Sequence, residues 1–229
     1  MTLFPQRPSG RARRSNGRIA LALFALAAAA VPARAAYDGL LSNGWFNGST
    51  SGWSLYNVGV GSIGYSAIDQ GGSPASGSLL LTNDTSAEGI TVIAKQCVSG
   101  LSGYVGQRFL VGADVRLAAG AQSAGSSGLS VMWLDGDNCT GSSLHQWAFG
   151  ATSSTDGTGW QHADFLTVPA PAGARSAIVG LRARKSVMGG SIAFHFDRAY
   201  FCPEATRCDA LLIHGFENGS TSGWSATAP

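Results

Sequence analysis

Apolar residues recur at every second position along most of this chain, and nowhere at a helical period. In 89–97, Ile90, Val92 and Ala94 share one face and Thr91, Ile93 and Lys95 the other. In 107–117 the shared set is Phe109, Val111, Ala113 and Val115. In 176–184, Val179, Leu181 and Ala183 face one way, and Ile178, Arg182 and Arg184 the other. Ile192, Phe194 and Phe196 are in phase in 191–201. The same pattern predicts strands over 40–46, 53–60, 78–82, 129–134, 145–149 and 160–168, and a short one over 61–66. Between them lie turn-forming segments: 47–52, 69–74, 135–138 and 153–159, with a small, polar stretch over 118–128. Many short strands at this spacing predict an all-β antiparallel sandwich or barrel.

One motif occurs twice. Asn47-Gly48-Ser49-Thr50-Ser51-Gly52-Trp53-Ser54 returns as 218–225, and Asp38, Leu40, Leu41 and Gly44 fall on Asp209, Leu211, Leu212 and Gly215. The unit that opens the domain therefore reappears after it. A single strand and turn cannot bury a core alone, so three readings of the tail stand. It is the vestige of a second module, a sorting tail, or a donor strand for a sheet edge.

The first 35 residues read as a secretory leader rather than structure. Arg7, Arg11, Arg13, Arg14 and Arg18 precede an apolar run from Ile19 to Val31, and Ala33-Arg34-Ala35 is a cleavage site. Arg13-Arg14 admits twin-arginine export as the lesser alternative. Expected organisation is a signal peptide over 1–35, a sandwich domain over 36–203 and a tail over 204–229. The expected location is outside the cytoplasm: secreted, periplasmic or on the cell surface, in a bacterial style of precursor. No stable membrane insertion is expected once the leader is removed.

Losing the leader reverses the charge. The whole chain carries +2, but six of its fifteen basic residues precede Ala36, whereas all thirteen acids follow it. The mature chain is then mildly acidic, at −4. No basic patch indicates nucleic acid. Four cysteines in an exported chain indicate disulfides. Three pairings are possible, of which Cys97–Cys139 and Cys202–Cys208 are favoured, the second closing a small local loop.

Four segments together are similar to carbohydrate-binding modules of the galactose-binding-like jelly-roll kind. These are Gly44-Trp45-Phe46-Asn47 with Ser51-Gly52-Trp53-Ser54, and Ser76-Gly77-Ser78-Leu79-Leu80-Leu81-Thr82. The others are Gly159-Trp160 leading to Val168-Pro169-Ala170 and Gly173-Ala174, and Phe196-Asp197-Arg198-Ala199-Tyr200-Phe201. The resemblance spans about 40–201. It implies a jelly-roll sandwich, a polysaccharide or glycan as partner, and structural positions for Trp53 and Trp160. It also implies a structural calcium held by Asp197, Asn47 and the 71–77 loop. Asn47 departs from the family's usual Glu, and Arg198 from its second Asp.

Sugar binding needs flat apolar surface and a few fixed polar groups. Trp133, Trp147, His145, Arg182 and Arg184 form the expected platform, provided that their strands line one face. Catalysis has no visible basis: no carboxylates are marked as a pair, the four histidines have no metal spacing, and the Gly48–Gly52 turn fails as a nucleophile elbow. The expected function is a secreted, non-catalytic carbohydrate-binding sandwich. The alternative is an extracellular structural or adhesion protein that meets others through sheet edges or the tail.

Overall fold

A computed structural model describes residues 39–121, 124–153 and 159–206, with backbone alone over 147–153. The leader, the tail and Cys208 lie outside the described residues. Ten strands form two antiparallel five-stranded sheets. Sheet I has the order β1 (Ser54–Leu55), β4 (Thr91–Ser99), β9 (Ser176–Lys185), β6 (Gly125–Leu134), β7 (Ser143–Ser153). Sheet II has the order β2 (Ser62–Ser66), β3 (Ser78–Asn83), β10 (Ile192–Pro203), β5 (Phe109–Leu117), β8 (Gln161–Leu166). No α-helix occurs among the described residues; three short 3-10 turns do. The expected all-β antiparallel sandwich is the observed fold.

The alternating residues read from the sequence are the ones that meet between the sheets. Val92, Ala94, Val179, Leu181 and Ala183 from sheet I, with Phe109, Val111, Val115, Phe194 and Phe196 from sheet II, belong to one buried core. Its aromatic centre is a cluster. Phe109 stacks on Phe201 at 4.6 Å, and Trp133 meets Phe109 edge-on at 5.2 Å and Phe201 at 6.0 Å. Aromatic pairs in such geometry add to the burial of their own area.

Three boundaries differ from expectation. Residues 40–46 are not a strand: Asn43 and Phe46 take left-handed backbone angles (φ 53° and 46°), which an extended strand cannot accommodate. The segment is instead a plug between the sheets. Its backbone bonds to β10 through Leu40 N–H to Phe201 O (2.8 Å) and Ala199 N–H to Gly44 O (2.9 Å). The Gln96 side chain on β4 takes Ser42 N–H (2.6 Å) and donates to Ser42 O (2.7 Å). Phe46, fully buried, packs on Trp53 at 5.8 Å. Of 53–60 only Ser54–Leu55 is strand. The polar stretch at 118–128 also hides the start of β6 at Gly125, where a Cβ would meet the Arg184 carbonyl oxygen at 2.1 Å.

Polar groups close the far end. Lys185, fully buried on the inward side of β9, donates its ammonium to the carbonyls of Thr85 and Gly190 (2.7 Å to the latter). Asn83 donates to the carbonyls of Ile90 and Ala183. Buried donors with such partners avoid the desolvation penalty of unmet ones.

Cys97 and Cys139 are joined, as favoured from sequence. Cys202 is disulfide-bonded; the expected partner, Cys208, is outside the described residues. The first bridge ties β4 across β9 to the β6–β7 turn. Its ends are 42 residues apart, a loop whose closure is worth about 4 kcal/mol in the chain-entropy account. Replacing Cys97 and Cys139 together by Ser should lower unfolding free energy by roughly 3–4 kcal/mol in a denaturant melt. A loss below about 1 kcal/mol would show that turn and strand are held by other contacts.

Candidate functional site

Strand register decides which residues can act together, because residues directly opposite in an antiparallel pair share a face. Trp133 is opposite His145 and Ala177. It lies on the inward face and is fully buried against Phe109 and Phe201. Trp147 is opposite Val131 in the same ladder; its side chain is outside the described residues. Arg182 is opposite Ile93 and Gly128, and Arg184 opposite Thr91 and Ser126. Both arginines therefore lie on the outward face. The five-residue platform expected from sequence does not exist. Trp133 is core, His145 is half-buried on the inward side of the edge strand, and the arginines are on the other side of the sheet. The reason is a one-position difference in phase, which the sequence does not show between non-adjacent strands.

The arginines do have neighbours on their own face. Lys95 is opposite Ser54 and Gly180, and its ammonium lies over the Tyr56 ring, 5.2 Å from the centroid. Tyr56 extends β1 by donating its N–H to Ile93 O (2.9 Å). It is 40% exposed. The middle of the face is built from small residues: Gly180 on β9, Ser130 and Gly128 on β6. A Cβ at Gly180 would sit 2.5 Å from Ser130 Oγ and 2.7 Å from Ile93 Cγ2, so that one of these side chains would have to move. Met132 and Gln146 continue the face toward β7. The result is a face with one exposed aromatic ring at its edge and three cations, of which Arg184 is exposed and Lys95 and Arg182 are half-buried, over a floor of small buried residues. Tyr56, Lys95 and Gln146 were missed in sequence. The alternation that would have found Lys95 was visible in 89–97; nothing marked Tyr56.

Sheet II carries a polar cluster on its own outward face. A β-bulge between Asp197 and Tyr200 places Arg198 at φ 50° and turns its guanidinium over the Trp45 ring at 5.2 Å, with Asp114 at 3.8 Å. His162 Nδ1 bonds Asp114 Oδ1 at 2.8 Å, and Nε2 bonds the Tyr200 hydroxyl at 3.2 Å. Gly112 leaves room for the Tyr200 ring, which stacks on His162. His195 bonds Ser78 Oγ at 3.0 Å and is buried; burial pushes its pKa down. The hydrogen bond to Asp114 raises the pKa of His162. Asp114 and Asp197 are opposite each other, a pairing of carboxylates that sequence did not mark. Both are buried. This cluster binds itself.

Asp197 bonds Gln70, just before the 71–77 loop of the calcium expectation; no bond among those described joins it to 71–77 itself. Asp197 accepts N–H bonds from Gln70 (2.9 Å) and Arg198 (2.7 Å), and burial pushes its pKa up to about 7, with Asp69 adding to the rise. Asp69 accepts from the Ser73 N–H (2.7 Å) and the Ser76 hydroxyl (2.5 Å); the described residues offer a hard cation these two carboxylates and no cluster of three or more ligand-type side chains. Asn47 is exposed in its turn, its N–H held by Asn43 Oδ1 at 3.0 Å, and no bond joins it to Asp197 among those described.

No family model matches the chain, and no curated protein matches it. Solved structures do. The enzymatically active domain of tailspike protein 4 from bacteriophage CBA120 superposes with a TM-score of 0.53 at 16% identity, over 73% of this chain and 22% of that one. An arabinose-bound α-L-arabinofuranosidase gives 0.50 at 15% identity, over 73% of this chain and 26% of that one. A family 22 carbohydrate-binding module from Clostridium thermocellum gives 0.49 at 18% identity, over 74% of this chain and 97% of that one. The fold is a jelly-roll sandwich. The chain spans about a fifth of the tailspike chain and about a quarter of the arabinofuranosidase, so the likeness is to one domain of each.

The His162–Asp114 contact gives a signed pH test. A histidine whose folded pKa is raised contributes stability that is complete below its unfolded value, 6.5, and is lost as pH rises through the folded value. His162→Gln should therefore melt below wild type at pH 5, with the gap closing toward pH 8. A gap that is constant across that range would mean that the contact does not depend on the imidazolium.

Proposed function

We propose that this chain is an exported, non-catalytic carbohydrate-binding module whose binding surface is the outward face of sheet I. The observation that carries the reading is Tyr56: an exposed ring at the β1 edge of a sheet face, under the Lys95 ammonium, with Arg182 and Arg184 two strands away on the same face. A ring face takes the C–H surface of a sugar, and fixed donors around it take hydroxyls or charged groups. The jelly-roll fold and the order of the four motifs support the same reading. The absence of catalysis belongs to the proposal too. Asp114 and Asp197 are opposed, but burial and their bonds to His162, Gln70 and Arg198 keep both from a substrate.

Calcium is a structural part of the proposal. Asp197, Asp69 and carbonyls of the 69–77 loop would hold the ion, which would supply the positive charge that a buried carboxylate lacks. It has no role in sugar contact, since it lies at sheet II.

The test is retardation in gels containing neutral or acidic polysaccharides, each run with calcium and with chelator. Wild type should be retarded by at least one polymer, and Tyr56→Ala should lose about tenfold in affinity, the scale of one aromatic contact, without a change in melting temperature. Calcium should raise the melting temperature and leave retardation unchanged. Retardation that is intact in Tyr56→Ala would move the site off this face. No retardation by any polymer would favour the adhesion reading.

A further inference from the structure

The charge on this face is segregated in a way that the function so far does not use. The five strands of sheet I contain Lys95, Arg182, Arg184 and the inward-facing Lys185, and not one Asp or Glu. Yet acids outnumber basic residues after the leader. The three ion pairs among the described residues join His162 and Arg198 to Asp114, and Arg175 to Asp137. None reaches Lys95, Arg182 or Arg184. The Nε of Arg182 is enclosed by its surroundings and has no hydrogen-bond partner.

Three like charges without a carboxylate repel one another, at a cost in stability. Arg184, Arg182 and Gly180, the partner of Lys95, are alternate residues of β9 on one face. At strand spacing the positive charges recur along about 13 Å. A row of this kind meets a polymer whose negative charges also recur. Guanidinium groups match carboxylates with two parallel bonds, a geometry that a neutral hydroxyl cannot use fully.

Resting on the binding reading above, we infer that the outward face of sheet I takes an acidic polysaccharide whose sugar rings carry carboxylates, rather than a neutral glycan. Tyr56 carries a ring face, Arg182 and Arg184 take the carboxylates, and Lys95 adds field beside the ring. The net negative charge of the mature chain makes this a local property of the face. Acids elsewhere are screened beyond about 8 Å at physiological salt.

The experiment is affinity electrophoresis of the oxidised protein in chelator, in gels containing polygalacturonate, alginate, fully methyl-esterified polygalacturonate, dextran sulfate or neutral galactan. The expected result is retardation by polygalacturonate or alginate that is at least about tenfold stronger than by the esterified polymer and galactan, as for the loss of a charged hydrogen bond. Arg182→Gln with Arg184→Gln should remove that excess. Arg184→Gln alone, at an exposed position, should remove part of it with no change in melting temperature. Equal retardation by the esterified polymer or galactan would keep the glycan reading and overturn this one. Equal retardation by dextran sulfate would show charge alone and overturn the carboxylate assignment. No retardation by either carboxylate polymer would overturn the inference; none by any polymer would remove the binding reading itself.

Discussion

The contact on which the rest depends is the aromatic cluster of Phe109, Trp133 and Phe201, where β5 and β10 of one sheet meet β6 of the other. It fixes which face of β6 points inward. Because side chains alternate strictly along a strand, fixing Trp133 inside also fixes Ser130 and Met132 outside. Through the ladder it fixes Gly180, Arg182 and Arg184 outside as well. The position of the arginines is therefore a consequence of core packing on the neighbouring strand, with no need for a contact of their own.

That constraint separates two kinds of polar group. Those on sheet II are paired with one another: His162 with Asp114 and Tyr200, His195 with Ser78, Asp197 with two backbone N–H groups. Burial makes unpaired groups costly there, and the network meets that cost internally. Lys95, Arg182 and Arg184 of sheet I take part in none of the ion pairs described, on a face floored by small residues. A self-satisfied network stabilises, and an unsatisfied row of like charges recruits. The proposed binding face is accordingly the one where the electrostatics are incomplete.

Much of the fold was legible because it rests on period-two alternation, which is local. Val92 and Ala94, Val179 and Leu181, and Phe194 and Phe196 were placed correctly from their own segments. The candidate site was not legible for a physical reason. Whether Trp133 and Arg182 share a face depends on the pairing of β6 with β9, which are far apart in the chain and joined only in space. The opening segment was misread because Asn43 and Phe46 adopt left-handed angles that no side-chain pattern announces. That segment also bears on the repeated tail. At matched positions the tail has Glu217 for the fully buried Phe46 and Ile213 for Ser42, whose backbone bonds Gln96. A tail that replaced the first copy would bury a carboxylate in the core, so exchange of the two copies is disfavoured on chemistry alone.

The most direct measurement of the central claim is an amide chemical-shift titration of the labelled protein with a soluble oligogalacturonide. The account predicts that shifts cluster on Tyr56, Ile93, Lys95, Ser130, Gly180, Arg182 and Arg184, all on one face of sheet I. Shifts that cluster instead on Trp45, His162 and Arg198 would place the ligand on sheet II and contradict it.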